Sequence, residues 1–205
     1  MNPSNNLPYD FSALLSSLSA ADQAIVRAQG AQIGLISIPQ NNGEGEIMGA
    51  EGTVSMPFKT LTSALDGFGV FGSASFNHSN VTFDTDPTFD QTIPGLSKWV
   101  LNGTAYFEKW GFQARATYRY RSSFLGETFG ITAARETISV KPEGILDAQI
   151  GYEFQSGPLQ GLAILAQAKN ITDEHFISYL NGDRRQIDRD ERYGRDYYVG
   201  ITYKF

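Results

Sequence analysis

Cysteine is absent from the 205 residues, which excludes disulfides, thiolate–metal centres and cysteine nucleophiles. The chain also lacks a run of about 18 apolar residues, so it has no candidate membrane-spanning helix. A basic excess is missing as well, because the formal charge is -6 and nucleic-acid-binding domains are basic. The two histidines lie on separate segments and predict neither a zinc site nor a Ser-His-Asp triad. We therefore expect no enzyme activity, no cofactor, no metal and no nucleic-acid partner.

Phenylalanine, tyrosine and glycine are plentiful instead, with 14, 10 and 21 residues. Together they indicate many strands with tight bends and an aromatic surface. The first thirty residues differ from the rest. They include "DFSALLSSLSAADQAIVRAQG", which predicts one or two short helices with a capping box at Ser19–Asp22. We therefore divide the chain into a helix-bearing loop region, 1–30, and a strand-rich part, 31–205.

After Gly30 the apolar residues recur with a period of two, as in strands that have one apolar face. In "GFQARATYRYR" the even-numbered residues are Phe, Ala and Tyr, and the odd-numbered residues after the first Gly are Gln, Arg and Thr. We call each such set of alternate residues a parity, because the side chains of one set lie on the same face of a strand. This pattern predicts seven strands, in "GEIMGAEGTVSM", "GFGVFGSASFNHS", "SKWVLNGTAYFE", "GFQARATYRYR", "ILDAQIGYEF", "LAILAQAKN" and "GRDYYVGITYKF".

The connections between these strands alternate between short turns and long polar segments, as in an outer-membrane barrel. The long polar segments lie between Ser79 and Leu96, between Arg121 and Gly144, and between Ile171 and Arg192. A water-soluble antiparallel sandwich is the alternative, since it also has one apolar face per sheet. Its dry core would have to bury Arg115, Arg119, Asp147 and Glu153 at a heavy desolvation cost. The aromatic residues cluster near strand ends, like the girdles at a bilayer's interfaces. We therefore predict an all-β antiparallel transmembrane β-barrel segment with one parity facing lipid and the other a wet lumen.

Seven strands place the two ends of a barrel on opposite sides of the membrane, whereas single-chain bacterial barrels have even strand numbers. Either "AQIGLISI" is an eighth strand, or the chain is part of a larger barrel. A small self-standing barrel with an adhesin or structural role is the alternative function, and it requires "AQIGLISI" to span the membrane.

Several of these segments, in their order along the chain, resemble the C-terminal barrel of TonB-dependent outer-membrane receptors over about residues 30–205. The match rests on "NGEGEIMGAEGTVSM", "ILDAQIGYEF", and "NITDE" followed by a Gly-Arg-aromatic final strand that ends in Phe. The segment "YFEKWGFQARATYRYRSSFL" more narrowly resembles a branch often linked to uptake of carbohydrates and other complex nutrients.

The resemblance implies a 22-stranded barrel in the outer membrane of a Gram-negative cell, filled by an N-terminal plug. It also implies uptake of a nutrient, a carbohydrate or a siderophore-like ligand, driven through the TonB complex by the proton-motive force. We find no plug, no TonB-contacting segment and no signal peptide in these residues. The chain is therefore expected to be a C-terminal fragment that supplies about seven strands, or eight, of such a barrel.

The final strand resembles the C-terminal signal that the barrel-assembly machinery reads in outer-membrane proteins. The physical reason would be edge pairing together with aromatic contacts. The simpler interpretation is that the same residues only face lipid and the aromatic girdle, and both roles are compatible. The residues are Tyr197, Val199, Ile201, Tyr203 and Phe205.

Two further groups of candidate site residues lie on the polar parity and in the last long segment. The predicted lumen-facing charged residues are Arg115, Arg119, Arg121, Asp147 and Glu153. They suggest either a path for an anionic ligand or a cross-strand charge ladder that also contacts a plug, and we favour the ladder. Outer loops carry ligand specificity in receptors, so the possible ligand-loop residues are Tyr179, Asn181, Arg184 and Arg185. An ordinary charge-balanced loop is the alternative there.

Overall fold

The computed structural model describes residues 4–10, 16–28, 33–39, 43–83, 86–129 and 136–204. These residues form one α-helix, α1 (Ala20–Ala28), and fourteen β-strands. The strands are β1 (Ser4–Asp10), β2 (Ile33–Pro39), β3 (Gly43–Pro57), β4 (Phe68–Phe83), β5 (Asp86–Gln91), β6 (Trp99–Lys109), β7 (Phe112–Arg121), β8 (Phe124–Phe129), β9 (Glu136–Val140), β10 (Glu143–Glu153), β11 (Leu162–Lys169), β12 (Phe176–Leu180), β13 (Ile187–Glu191) and β14 (Asp196–Tyr203). No described helix has the length and hydropathy that crossing a bilayer requires.

The helix α1 begins with the capping box that its sequence predicts. Ser19 Oγ donates to Asp22 Oδ2 at 2.6 Å and accepts from the Asp22 backbone N–H at 3.2 Å. The segment before α1 also contains β1, which pairs with β2 in a separate two-stranded sheet. Because β2 holds most of "AQIGLISI", this candidate eighth strand pairs with β1 and not with the large sheet described next.

The large sheet contains eight antiparallel strands in the order β14–β11–β10–β7–β6–β4–β3, with β5 also paired to β4. The seven strands of this order are the seven that the period of two predicts. The prediction of an all-β antiparallel fold is therefore confirmed, and the eighth strand of the sheet is the short β5.

Residues directly opposite each other in an antiparallel pair lie on the same face of the sheet. The register of the large sheet therefore places the predicted apolar residues of all seven strands on one face. We call this the apolar face. Three of its rows are Gly52–Ala74–Leu101–Tyr120, Met56–Val70–Ala105–Ala116–Ala148–Ala168–Tyr197 and Phe68–Phe107–Ala114–Ile150–Ala166–Val199.

The apolar face is not covered by a second layer in the part of the chain that the structure describes. Ile150 is 50% exposed and Val199 is 77% exposed, whereas the buried hydrophobic side chain is Val140 in β9, at 5%. The accessible surface is 14072 Å², against about 9,500 Å² for a soluble monomer of this mass. The apolar residues of the large sheet therefore do not form an internal core.

A four-stranded sheet, in the order β13–β12–β9–β8, continues four strands of the large sheet after short breaks. The sequence predicts long polar loops here, between Arg121 and Gly144 and between Ile171 and Arg192, and the structure instead forms two strands in each of these segments. The register shifts at Leu125/Glu127 and at Ser178/Tyr179. Each shift interrupts the alternation of the side chains, so the period of two fails to reveal these strands.

Candidate functional site

The face of the large sheet opposite the apolar face carries hydrogen-bonding side chains, and we call it the polar face. One row crosses five neighbouring strands and consists of Tyr106–Arg115–Gln149–Gln167–Tyr198. Within it, Gln167 Nε2 donates to Gln149 Oε1 at 3.3 Å. The next row contains Thr104 and Thr117, whose hydroxyl oxygens lie 3.0 Å apart. Cross-strand contacts of this kind stabilise the sheet and fix the positions of the polar groups.

Three of the five predicted lumen-facing charged residues come together on the polar face. Arg119 Nη2 donates to Asp147 Oδ2 at 3.0 Å, and Asp147 Oδ1 accepts from the Asn170 backbone N–H at 2.9 Å. Arg115, further along β7, donates to Glu108 Oε1 at 3.1 Å. Both arginines are therefore neutralised by carboxylates on neighbouring strands, which is the arrangement that a charge ladder requires.

Arg121 and Glu153, the other two, lie apart from this group. Arg121 donates to Ser97 Oγ at 2.7 Å and to the Gly95 carbonyl oxygen at 2.6 Å. Its guanidinium carbon also lies 3.7 Å from the ring centroid of Phe124, so this side chain holds the segment before β6. Glu153, near the short-turn end of the sheet, makes a long contact of 3.9 Å with Lys204. The five residues thus share a parity but do not form one cluster.

Two residues of the polar face are absent from the sequence-based candidates. Lys169 Nζ lies 5.1 Å from the ring centroid of Tyr198, within the range of a cation–π contact. Lys169 also lines an open cavity of about 360 Å³ together with Arg115, Arg119, Asp147, Gln149 and Gln167. The signal that could have found both residues is their parity, which is opposite to that of the apolar residues of β11 and β14.

The step from β11 to β12 contains Asn170, whose backbone φ of 52° is left-handed. Its Oδ1 accepts from the Glu174 backbone N–H at 2.8 Å. Its Nδ2 donates to the carbonyl oxygens of Glu174 at 3.2 Å and of Gly194 at 2.9 Å. Because the Asn170 N–H also donates to Asp147 within β10, one asparagine connects β10 with the end of β11 and with the segment just before β14. We call this set of contacts the junction.

Neighbouring side chains extend the junction between the large sheet and the four-stranded sheet. Thr172 Oγ1 donates to the Gly144 carbonyl oxygen at 2.9 Å, at the start of β10. Arg195 Nε, just before β14, donates to the Ile171 carbonyl oxygen at 3.1 Å. The segment "NITDE", which supports the family resemblance, therefore has a structural role that the sequence alone does not reveal.

Asn181, one of the possible ligand-loop residues, is already engaged within the four-stranded sheet. Its backbone N–H donates to the Thr137 carbonyl oxygen at 2.7 Å, and its Oδ1 accepts from the Thr137 backbone N–H at 3.0 Å. Its φ of 53° is also left-handed, a conformation that asparagine tolerates better than most residues. The structure thus gives Asn181 a part in joining β12 to β9.

The other three possible ligand-loop residues divide into one engaged and two available side chains. Arg185 binds the Asp183 carboxylate through Nε at 3.0 Å and Nη2 at 2.8 Å. This hydrogen bonding holds the pKa of Asp183 below its usual value and raises the pKa of Arg185. The side chains of Tyr179 and Arg184 have no hydrogen-bond or ion-pair partner among the described residues. These two side chains are therefore the ones available to a ligand.

Four of the five predicted assembly-signal residues lie on the apolar face of β14, which is the last strand in the order of the large sheet. They pair with apolar residues of β11 and are all exposed: Tyr197, Val199, Ile201 and Tyr203. Phe205 lies outside the described residues. Their recognition by the assembly machinery stays a prediction.

Across the described ranges, no three His, Cys, Asp or Glu side chains lie together in a way that could hold a metal ion. In the part of the chain that the structure describes, the large antiparallel sheet has an uncovered apolar face and a hydrogen-bonding polar face. This is the arrangement of the wall of an outer-membrane β-barrel.

A comparison with protein families agrees with this assignment. Residues 10–171 match the model of the TonB dependent receptor-like, beta-barrel family, and the chain belongs to that family. The resemblance predicted from the sequence is therefore confirmed. Neither the curated proteins nor the solved structures gave a significant match. Members of this family are outer-membrane transporters of nutrients and not enzymes, so membership indicates outer-membrane nutrient uptake in general terms.

Proposed function

We propose that this chain forms the C-terminal part of the barrel wall of a TonB-dependent receptor. The receptor would take up a carbohydrate or a siderophore-like ligand across the outer membrane of a Gram-negative cell. The observation that carries the proposal is the register of the large sheet, which separates an apolar face from a polar face over seven strands. Such a sheet suits a boundary between lipid and a wet lumen.

In this proposal, residues 31–205 belong to the barrel and residues 1–30 form a loop region that carries α1. The polar face would look into the lumen, where Arg115, Arg119 and Asp147 contact the plug. The energy for uptake would reach the plug through the TonB complex. The exposed apolar side chains of β14 would be read by the barrel-assembly machinery during insertion. The short β-turns would lie in the periplasm and the four-stranded sheet outside the cell.

The ligand would first meet the four-stranded sheet, where Tyr179 and Arg184 are available for contact. A tyrosine and an arginine supply an aromatic face and charged donors, which suit a polar ligand such as a sugar or a metal chelate. Asn181 and Arg185 would act indirectly, because their polar groups are engaged by Thr137 and Asp183.

A self-standing barrel with an adhesin or structural role is less well supported. It requires "AQIGLISI" as a spanning strand of the same sheet. The described part of this segment lies in β2, and every residue of β2 pairs with β1 instead. Because β1 and β2 form a sheet of their own, β2 does not supply an eighth strand to the large sheet.

Transport is tested by comparing cells that carry the intact gene with cells from which it has been deleted. We expect accumulation of one labelled candidate, an oligosaccharide or a ferric siderophore, only in cells with the gene, and its abolition by a protonophore. Arg184→Ala should weaken ligand binding about tenfold, since hydrogen bonds to charged groups are among the stronger ones.

The matched control for this experiment is Arg192→Ala. Arg192 is an exposed arginine near the same sheet whose guanidinium is held by Asp190 at 3.2 Å, so its replacement should leave binding nearly unchanged. The proposal would be contradicted if each candidate were taken up equally by cells with and without the gene. It would also be contradicted if the protonophore had no effect on uptake.

A further inference from the structure

The turn between β6 and β7 presents an unusual tryptophan. Trp110 and Gly111 form this two-residue turn with φ values of 56° and 78°, a combination that normally selects Asn-Gly because both residues are left-handed. A bulky residue in this conformation is strained. Trp110 is nevertheless 70% exposed, so burial within the protein does not explain its presence. A strained, exposed residue of this kind points to a function.

The residue before it, Lys109, is a lysine in an apolar row. The described row that crosses β6, β7, β10, β11 and β14 is Lys109–Phe112–Tyr152–Ile164–Ile201, and Lys109 is its one charged member. Lys109 Nζ lies 4.5 Å from the ring centroid of Trp110. A lysine at the margin of an apolar face keeps its stem among apolar groups and presents its ammonium at the membrane surface.

A second lysine, from the neighbouring turn, adds positive charge at the same place. Asp66 Oδ2 lies 3.0 Å from Lys109 Nζ, and Asp66 Oδ1 lies 3.7 Å from Lys59 Nζ. The hydrogen bond from Lys109 is the main reason that the pKa of Asp66 is lowered, so the carboxylate is charged at neutral pH. Two ammonium groups facing one carboxylate leave one excess positive charge, and the Lys59 side chain is 72% exposed.

Beneath these charges, aromatic rings connect the turn to the apolar face. The ring centroid of Phe107 lies 4.5 Å from that of Phe68, 5.9 Å from that of Phe112 and 6.4 Å from that of Trp110. The β3–β4 turn also exposes Leu61, at 64%. The order from the middle of the sheet outward is therefore aliphatic groups, aromatic rings and then ammonium groups. A phospholipid has the matching order of acyl chain, glycerol ester and phosphate.

We propose that Lys109, Lys59 and Trp110 form a binding site for the headgroup phosphate of an anionic glycerophospholipid, in the leaflet that surrounds the short-turn end of the sheet. Lys109 contacts the phosphate, Lys59 supplies the excess charge, and the Trp110 indole lies at the level of the glycerol ester with its N–H available to an oxygen. Asp66 holds the two lysines near each other. The site requires that the apolar face lie in a bilayer, but it does not depend on which nutrient is transported.

The chain has two tryptophans, which makes the site measurable by fluorescence. In the full chain with Trp99→Phe, reconstituted in phosphatidylcholine vesicles, Trp110 is the only reporter. Brominated phosphatidylglycerol and brominated phosphatidylcholine are then compared as quenchers of Trp110. We expect phosphatidylglycerol to associate about fivefold more strongly, the preference that one excess lysine near a membrane surface provides. The preference should decrease as salt is added.

Two substitutions identify the residues responsible. Lys109→Gln should bring the ratio of the two association constants close to one. Lys204→Gln removes a lysine from the same end of the sheet, one that contacts Glu153 and lies outside the cluster, and it should leave the preference intact. Equal quenching by both lipids, or a preference that survives Lys109→Gln, would overturn the proposal.

Two further measurements complete the test. The first distinguishes a lipid site from a general anion site, and the second tests the site in the unmodified chain, without any substitution. Millimolar inorganic phosphate should not abolish the preference for phosphatidylglycerol, and if it does, the site binds free anions and the lipid assignment is wrong. Native mass spectrometry of the unmodified full chain, released from mixed vesicles, should show retained phosphatidylglycerol in excess over phosphatidylcholine. Equal retention of the two lipids would also contradict the site.

Discussion

At the scale of single residues, Asn170 shows how one side chain can serve several strands. Its left-handed φ of 52° favours asparagine over most other residues. Its amide group also satisfies the backbone of Glu174 and of Gly194, a residue 24 positions away. A different residue would lose both the conformation and the hydrogen bonds. Asn170 is therefore required for the junction by geometry and by chemistry together.

Replacing this asparagine tests the junction directly. Asn170→Ala should lower the free energy of unfolding by about 3 kcal/mol, because it leaves half-buried backbone groups unpaired and places alanine in a left-handed conformation. Asn102→Ala is the control, since the Asn102 side chain donates, within the described ranges, to Ser73 Oγ alone, at 3.3 Å, and it should cost about 1 kcal/mol or less. Denaturant unfolding in detergent micelles measures both, and equal losses would contradict the role assigned to the junction.

At the scale of elements, the seven long strands could be predicted from the sequence because each separates two different environments. Alternation along "GFQARATYRYR" is strong for this reason, and a slip of one residue would move every side chain to the wrong face. The strands of the four-stranded sheet could not be predicted. In β13 the segment "IDRDE" carries charge on both parities, and the bulges in β8 and β13 break the alternation.

The candidate site could likewise be predicted in part, where its residues lie on strands with a clear alternation of apolar and polar side chains. Charged residues within apolar alternation, such as Arg115 and Arg119, stand out along a strand. The contact between Lys169 and Tyr198 depends on the register of β11 against β14, which the sequence does not specify. The engagement of Asn181 by Thr137 likewise joins segments 44 residues apart. The pattern along the chain thus shows which face of a strand a residue lies on. The residue that it contacts on a neighbouring strand is known only from the structure.

Two glycines on the adjacent strands β4 and β6 offer a test of how the sheet packs. A Cβ added to Gly69 would lie 2.3 Å from the Tyr106 ring, whereas a Cβ added to Gly103 would meet no atom within 4 Å. Gly69→Ala should therefore lower the free energy of unfolding by about 1–3 kcal/mol through overpacking. Gly103→Ala should change it by no more than about 0.5 kcal/mol. Thermal unfolding of the two variants in the same detergent measures the difference.

The cause of the Gly69 effect is tested by adding Tyr106→Ala to both the wild-type and the Gly69→Ala chain. If the tyrosine ring is the obstacle, the cost of Gly69→Ala should nearly vanish when the ring is absent. An unchanged cost would mean that the backbone of β4, and not the ring of Tyr106, needs glycine at this position.

At the scale of the whole molecule, stability and function both depend on the two faces of the large sheet. The apolar face has no protein layer over it in the described residues, and in the proposed barrel lipid would take the place of a core. In the described residues the order of the sheet ends at β3 and at β14, and unpaired strand edges in hydrocarbon cost several kcal/mol for each backbone group. Both edges therefore need neighbouring strands in the membrane, as they would have in a closed barrel.

The most direct test of this account asks which residues touch lipid. Because the chain has no cysteine, single cysteines can be introduced and labelled with a polarity-sensitive fluorophore. The full chain carrying the label is then measured in membranes that contain a quencher attached to the acyl chains. Labels at Ala116 and Ile150 should be strongly quenched and should emit as in an apolar medium. Labels at their neighbours Thr117 and Gln149 should be weakly quenched and should emit as in water. Equal quenching at all four positions, or the reverse pattern, would contradict the assignment of the two faces.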